Sequence, residues 1–218
     1  RRIVAGTYEP GTLIDEENTL ANRYQVSRVV IRDAVKILVG KGLLDVRRGI
    51  GTRVRARDQW SMLDDDVLAW HLSAPPNPSF LKQLMEIRLA FEPKASRWAA
   101  ERATDEDIAE IEAACVAMEQ EEGTVENFII ADAEFHRAVL RAAHNEFLKA
   151  MEGVIYSALL VSIRLTNKDP RANKTSVPFH REVCNAIASR NADLAEELTA
   201  NLLKDADHRL VDKVAKYK

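Results

Sequence analysis

Disulfide chemistry is all but missing from this sequence. Its two cysteines, Cys115 and Cys184, stand far apart with no CxxC spacing, which excludes a disulfide scaffold and suits two reduced thiols in a cytosol. Long apolar runs are missing too. No stretch of about 18 uncharged apolar residues occurs, so no membrane-spanning helix is expected, and no secretory signal pattern opens the chain. These absences point to a cytoplasmic protein. No repeat or low-complexity segment is present. With 46% hydrophobic and 30% charged residues over 218 positions, the chain can bury the core of one or two domains.

A strong net charge is also lacking: the formal total is −3. That total hides an asymmetry. Residues 1–60 carry 12 Lys+Arg against 7 Asp+Glu, a net of +5, whereas residues 61–218 carry 19 against 27, a net of −8. Such a division suggests a basic head that meets a polyanion and an acidic body that does not.

What the head does contain is patterned. In VSRVVIRDAVKIL (26–38), Arg28, Arg32 and Lys36 are four apart, which spans about 80° of one helix face. Ala34, Ile37 and Leu38 are expected on the opposite, core-facing side, with Ile31 at its edge. The preceding GTLIDEENTLANRYQ reads as a helix with an acidic first turn at Asp15, Glu16 and Glu17, and Ser27 is a good N-cap for the helix after it. LLDVRRGIGTRVRAR then alternates at Leu44/Val46 and Thr52/Val54 around a glycine-rich, arginine-bearing tip, the pattern of a β-hairpin. A helix-turn-helix followed by a basic hairpin is the layout of a winged helix-turn-helix, in which the second helix enters the DNA major groove.

Residues 1–57 resemble the DNA-binding domain of the GntR superfamily of bacterial transcription regulators. The resemblance is carried by the Gly6-x-Tyr8-x-Pro10-Gly11 turn, Val26-Ser27-Arg28, Arg32-Asp33-Ala34, Gly42-Leu43 and Arg48-Gly49-x-Gly51. It implies that Ser27, Arg28, Val29 and Arg32 face bases and phosphates, with Arg48 and Gly49 at the wing tip. Val30 departs from the family's usual proline and Asn18 from a frequent arginine. RRIVAG at the start resembles the tail of the family's first helix, so an N-terminally truncated domain is expected.

The rest reads as helix. WSMLDDDVLAWHL is expected to form a linker helix with Leu63, Val67 and Trp70 on one face, ended by APPNP (74–78). Phe80, Leu84, Ile87, Phe91 and Trp98 step along the next helix. Thr104 and Asp107 make a capping-box-like start for the one after, with Ile108, Ile111, Cys115 and Met118 behind it. Helices at about 125–143, 146–167, 178–190 and 192–214 follow, and short connections make the set an antiparallel bundle. The expected fold is mainly α: an N-terminal winged helix-turn-helix domain plus a C-terminal all-α antiparallel helical bundle.

Two constellations in the bundle carry chemistry. Asp132 and His136 are i and i+4 on a face shared with Ile129, Val139, Leu140 and Ala143, so both point inward. His180 lies on another apolar face beside Cys184 and Ile187. A satisfied His–Asp hydrogen bond and a metal site both answer to this pattern, and either needs a partner for the buried carboxylate. Arg88 shares a face with Leu81, Met85 and Glu92, which fits either an Arg88–Glu92 pair or a clamp for an effector carboxylate.

An all-helical body after such a head resembles the FadR-like branch, whose effector-binding domain is called FCD. In that branch an Asp-x-x-x-His pair and two further histidines hold a divalent metal, zinc foremost, with nickel or manganese as alternatives. Asp132, His136 and His180 match three of these positions; Leu202 occupies the fourth, and Asp205 and His208 are candidate substitutes. The segments RDQWSMLDDDVLAWHL and EPKASRWAAERAT resemble the sugar-acid-responsive, galactonate-repressor type of this branch.

The resemblance implies a division into a DNA-binding domain (1–57), a linker helix and loop (58–78) and an effector-binding and dimerisation domain (79–218). It also implies a ligand-responsive repressor, not an enzyme, that binds a palindromic DNA operator as a homodimer. Its small carboxylate or sugar-acid effector is expected at Arg88, Asp132, His136 and His180. Two rival readings are a metal-dependent enzyme built on Asp132, His136 and His180, and an architectural DNA-binding protein with no effector.

Overall fold

The computed structural model describes residues 1–73, 78–120, 125–157, 160 and 175–214. The chain divides into two compact units, Arg1–Pro76 and Asn77–Lys218.

In the first unit, α1 (Glu17–Tyr24) and α2 (Arg28–Gly40) form the helix pair. Gln25 turns the chain at φ 55°, and Ser27 caps α2 by accepting a hydrogen bond from the Val30 N–H at 3.3 Å. α1 begins at Glu17, the last residue of its acidic run, and Asp15, ahead of the helix, pairs with Arg23 at 2.5 Å. The buried row of α2 also differs from expectation. Ile31, with Val35 beside it, packs on Leu20 and Ala21 of α1, whereas Ala34 and Ile37 are exposed. α1 and the core under the hairpin meet α2 along Ile31, Val35 and Leu38, so the helix is turned and its basic stripe flanks the core.

β1 (Leu44–Arg47) and β2 (Gly51–Val54) pair antiparallel, with Leu44 opposite Val54 and Val46 opposite Thr52. The two alternating pairs read from the sequence therefore face each other. Gly49 holds the tip at φ +77°. Gly42 has no room for a side chain: at φ +76° an added Cβ would sit 2.3 Å from the Gln59 carbonyl oxygen.

The expected linker helix starts late. Arg57–Gln59 is a 3-10 turn and α3 is Asp65–Ser73, started by Asp64, which accepts from the Asp66 and Val67 N–H groups at 3.1 Å. Trp60 and Val67 are buried with Leu43, Leu44 and Val54 in the head's own core, while Leu63 is exposed. The break expected at 74–78 falls mostly on 74–77, outside the described residues.

Every described element of the second unit is helical. α4 (Pro78–Arg102), α5 (Asp105–Gln120), α6 (Val125–Ala142), the short α7 (Glu146–Ala150), α8 (Val177–Ala188) and α9 (Ala192–Val214) pack as a bundle, α9 most extensively on α4. The helix expected over 146–167 appears as α7 and a helical stretch at 152–157; residues 158–159 and 161–167 lie outside the described residues. Thr104 and Asp107 form a reciprocal cap, each backbone N–H donating to the other's side chain, at 2.7 and 3.2 Å.

The buried face of α4 is not the aromatic one. Ile87 and Phe91 are more than a third exposed, and Leu81, Leu84, Met85, Arg88, Glu92, Ala95 and Ala99 face inward. The inward row reads as polar in sequence because it contains two charges, and in the fold those charges neutralise each other.

Candidate DNA-reading face and metal centre

The exposed surface of α2 carries Arg28, Val29, Arg32 and Lys36, with Ser27 at its start. Arg32 is gripped by Glu17 of α1 in a two-pronged pair, Nε–Oε1 3.2 Å and Nη2–Oε2 2.8 Å, and Arg28 approaches the same carboxylate at 3.9 Å. The Arg32 hydrogen bond holds the Glu17 carboxyl below its ordinary pKa. Lys36 pairs with Asp33 at 3.0 Å. Arg48 and Gly49 are exposed at the hairpin tip. The unit thus presents an exposed helix with a basic stripe and an arginine-bearing hairpin tip, with Arg32 oriented by Glu17. Glu17 was legible only as an acidic helix start, since its partner lies 15 residues on.

In the body, α6 presents Asp132 and His136 inward, 7% and 5% exposed, and α8 presents His180, 2% exposed. Both histidines turn Nε2 toward the same carboxylate oxygen: Asp132 Oδ1 lies 3.3 Å from His136 Nε2 and 3.2 Å from His180 Nε2. Their Nδ1 atoms face away and are held. His136 Nδ1 is 2.7 Å from Glu92 Oε2, and His180 Nδ1 is 2.8 Å from the Ser176 carbonyl oxygen. Arg88 in turn donates from Nε to Glu92 Oε1 at 2.5 Å. The result is a buried chain, Arg88–Glu92–His136–Asp132–His180, spread over α4, α6 and α8.

Burial opposes the charges on Glu92, Asp132 and His136, and their neighbours outweigh it. Glu92 is pulled down to about 2 by Arg88 and His136. Asp132 is held well below the carboxylate range by His180 and His136. His136 is raised to about 9 by Glu92 and Asp132. Without a metal, His136 therefore carries a proton at neutral pH.

The donor set fits a divalent cation. One ligand atom from each of Asp132, His136 and His180 lies within 4.8 Å of the others. Asp132 Oδ1 and His180 Nε2 are close, yet neither atom has a partner in hydrogen-bond geometry. Two imidazoles fixed at Nδ1 by a carboxylate and a carbonyl, with Nε2 turned to a common point, form the pattern by which outer partners orient metal-binding histidines. Leu202, 4% exposed on α9, borders the same region. The suggested substitutes do not reach it: Asp205 and His208 are both exposed, and Asp205 pairs with Arg209 at 3.1 Å. Glu92 was foreseen as a partner of Arg88; its second oxygen on His136 was not.

Beside His136, a narrow cavity lined by Glu92, Ser96, Phe135, Thr199 and Leu202 has room for about one water molecule. Across it, Thr199 donates to Ser96 Oγ at 2.7 Å. An effector larger than water needs these side chains to part.

Comparison with known proteins agrees with both halves. The family described as "Bacterial regulatory proteins, gntR family" matches residues 1–54, and the FCD domain matches residues 83–205. The galactonate operon transcriptional repressor of Escherichia coli K12 is 34% identical over 96% of this chain and 92% of its own length. The HTH-type transcriptional regulator LutR of Bacillus subtilis is 32% identical over 88% of each chain. Among solved structures, the Listeria monocytogenes regulator Lar shares the fold at a TM-score of 0.70, with 18% identity over 97% of this chain and 92% of that one.

Proposed function

The chain belongs to the gntR family of bacterial regulatory proteins and carries an FCD domain, and from that membership we propose that it is a repressor sensing a small organic or sugar acid. Its relatives are regulators, not enzymes, which sets aside the metal-dependent enzyme. It acts in the cytoplasm as a homodimer, placing two winged heads on a palindromic operator whose half-sites lie about one helical turn apart. Ser27, Arg28, Val29 and Arg32, with Arg48 and Gly49 of the wing, meet the DNA. Exposed Ile87 and Phe91, one turn apart on α4, support a body that buries more surface on pairing.

The observation that carries the sensing role is the convergence of Asp132, His136 and His180, with Arg88 and Glu92 behind them. A bound zinc, nickel or manganese ion would be held by Asp132 and the two Nε2 atoms and would supply a Lewis-acidic point for a carboxylate. A divalent ion in place of the His136 proton would add positive charge to the buried group, complementary to an acid. Arg88 reaches that acid only by releasing Glu92, so effector entry and breaking of the Arg88–Glu92 pair go together. The effector acts by binding the DNA-competent and DNA-incompetent states with different affinity. With Leu202 in the fourth position, such an ion would have three protein ligands and would exchange readily.

The test is to enrich operator sequences from random duplexes with the purified full chain, then screen sugar and dicarboxylic acids for release of the enriched DNA. Enrichment of a palindrome with release by one acid class is expected. Failure of every acid to change binding, with and without zinc, would leave an architectural DNA-binding protein.

A further inference from the structure

The N-terminal half of α2, where a reading helix meets base edges, exposes its apolar side chains more than its position in a folded head requires. Val29 is 65% exposed and Val30 51%. They are the second and third residues after the Ser27 cap, the part of such a helix that reaches deepest into a major groove. Three of the polar side chains on this helix are engaged within the protein, while Arg28 stays exposed, 3.9 Å from Glu17. The Ser27 hydroxyl accepts from the Val30 N–H, Arg32 is held by Glu17, and Lys36 is held by Asp33.

Two isopropyl groups therefore form the forward part of the reading face, with Arg28 and Arg32 of the same helix beside them. The charges suit a phosphate backbone and the valines do not. In the major groove the four ordinary base pairs offer one apolar group, the 5-methyl of thymine, and an aliphatic side chain is its natural partner. Neither valine packs in the head's own core around Leu43, Leu44 and Val54 or in the Leu20–Ala21–Ile31 cluster on the helix pair's inner side.

We infer that Val29, with Val30 beside it, reads a thymine 5-methyl group in the operator. This rests on the DNA-binding role proposed above and goes beyond it by naming the base edge that is read. Burying one methyl against an isopropyl group changes affinity about fourfold. The contact discriminates thymine from cytosine and from uracil.

The experiment uses the full chain and the enriched duplex. Each thymine is replaced in turn by deoxyuridine, which removes the methyl and leaves base pairing intact. Binding is measured for the parent, Val29→Ala and Val30→Ala; both sites are exposed, and alanine favours helix, so the head stays folded. At least one thymine-to-uracil change is expected to weaken the parent about fourfold, with little or no effect in Val29→Ala. Insensitivity of the parent to every such change overturns the inference while leaving operator recognition standing. A uracil effect that persists undiminished in both variants also overturns it, assigning the methyl's role to DNA shape. If no sequence is enriched at all, the DNA-reading role itself falls, and the inference with it.

Discussion

Replacing Glu92 by Gln removes one charge from the middle of the buried chain and almost nothing else. The side chain keeps its volume, and both Glu92 and Arg88 are 3% exposed, so bulk solvent does not screen the loss. Arg88 loses the counter-ion at 2.5 Å, and the His136 Nδ1–H loses an anionic acceptor at 2.7 Å. Breaking a buried ion pair by removing one partner costs about 3–5 kcal/mol. Because glutamine can still hydrogen bond, the lower end, about 3 kcal/mol, is expected, or a melting point lower by about 6–12 °C for a domain of this size. Losing the partner that orients a metal-binding histidine also weakens metal affinity about 10- to 100-fold. Thermal melts and zinc titration against a competing chelator read the two effects separately. Glu101→Gln, which removes an exposed i,i+4 partner of Arg97 at 3.2 Å, is the control and should cost under about 1 kcal/mol. A Glu92→Gln protein with the parent's melting point and the parent's zinc affinity would refute the described role of Glu92.

Three further outcomes are expected. Arg28→Ala or Arg32→Ala should weaken operator binding by about 1–3 kcal/mol, with a steep fall of affinity in salt; unchanged operator affinity in both variants would remove α2 as the reading helix. Sedimentation should give a dimer held by the helical body, and a monomer at micromolar concentration with and without DNA would contradict it. The metal-free body should be most stable between about pH 4.5 and 6.5. His136, raised to about 9, contributes stability that is complete below 6.5 and lost as pH rises through 9; Glu92, lowered to about 2, contributes stability that is complete above 4.5 and lost as pH falls toward 2. Melting points measured across pH in chelator should fall on both sides, and a rise between pH 6.5 and 9 would contradict the His136–Glu92 pairing.

Much of this arrangement could be read from spacing alone. The wing was legible because alternation at Leu44/Val46 and Thr52/Val54 flanks a glycine-rich tip; the register, Leu44 opposite Val54 and Val46 opposite Thr52, is set by the turn. Asp132 and His136 were legible because four residues on a helix make one face, and His180 because its neighbours Cys184 and Ile187 are apolar.

What escaped depends on how elements meet. Ala34 and Ile37 were misassigned because periodicity defines a face but not its angle to the core, and α1 with the hairpin chose the Ile31–Val35–Leu38 row. On α4 the apolar steps through Ile87 and Phe91 suggest the wrong face because the true inward row contains Arg88 and Glu92, whose mutual neutralisation is invisible until the helix is packed. The Glu92–His136 contact joins α4 to α6 across more than 40 residues, and no local pattern announces it. Asp205 and His208 have suitable chemistry, but their helix carries them to the surface.

The central claim is that the buried Arg88–Glu92–His136–Asp132–His180 chain couples an acid to the DNA-binding heads. It is tested most directly by fluorescence anisotropy of a labelled operator, titrated with the acid found by screening, for the parent and His136→Ala. The account predicts that both proteins bind the operator alike without effector, and that His136→Ala needs a much higher acid concentration for release, or does not release at all. Release of both proteins at the same acid concentration would contradict it.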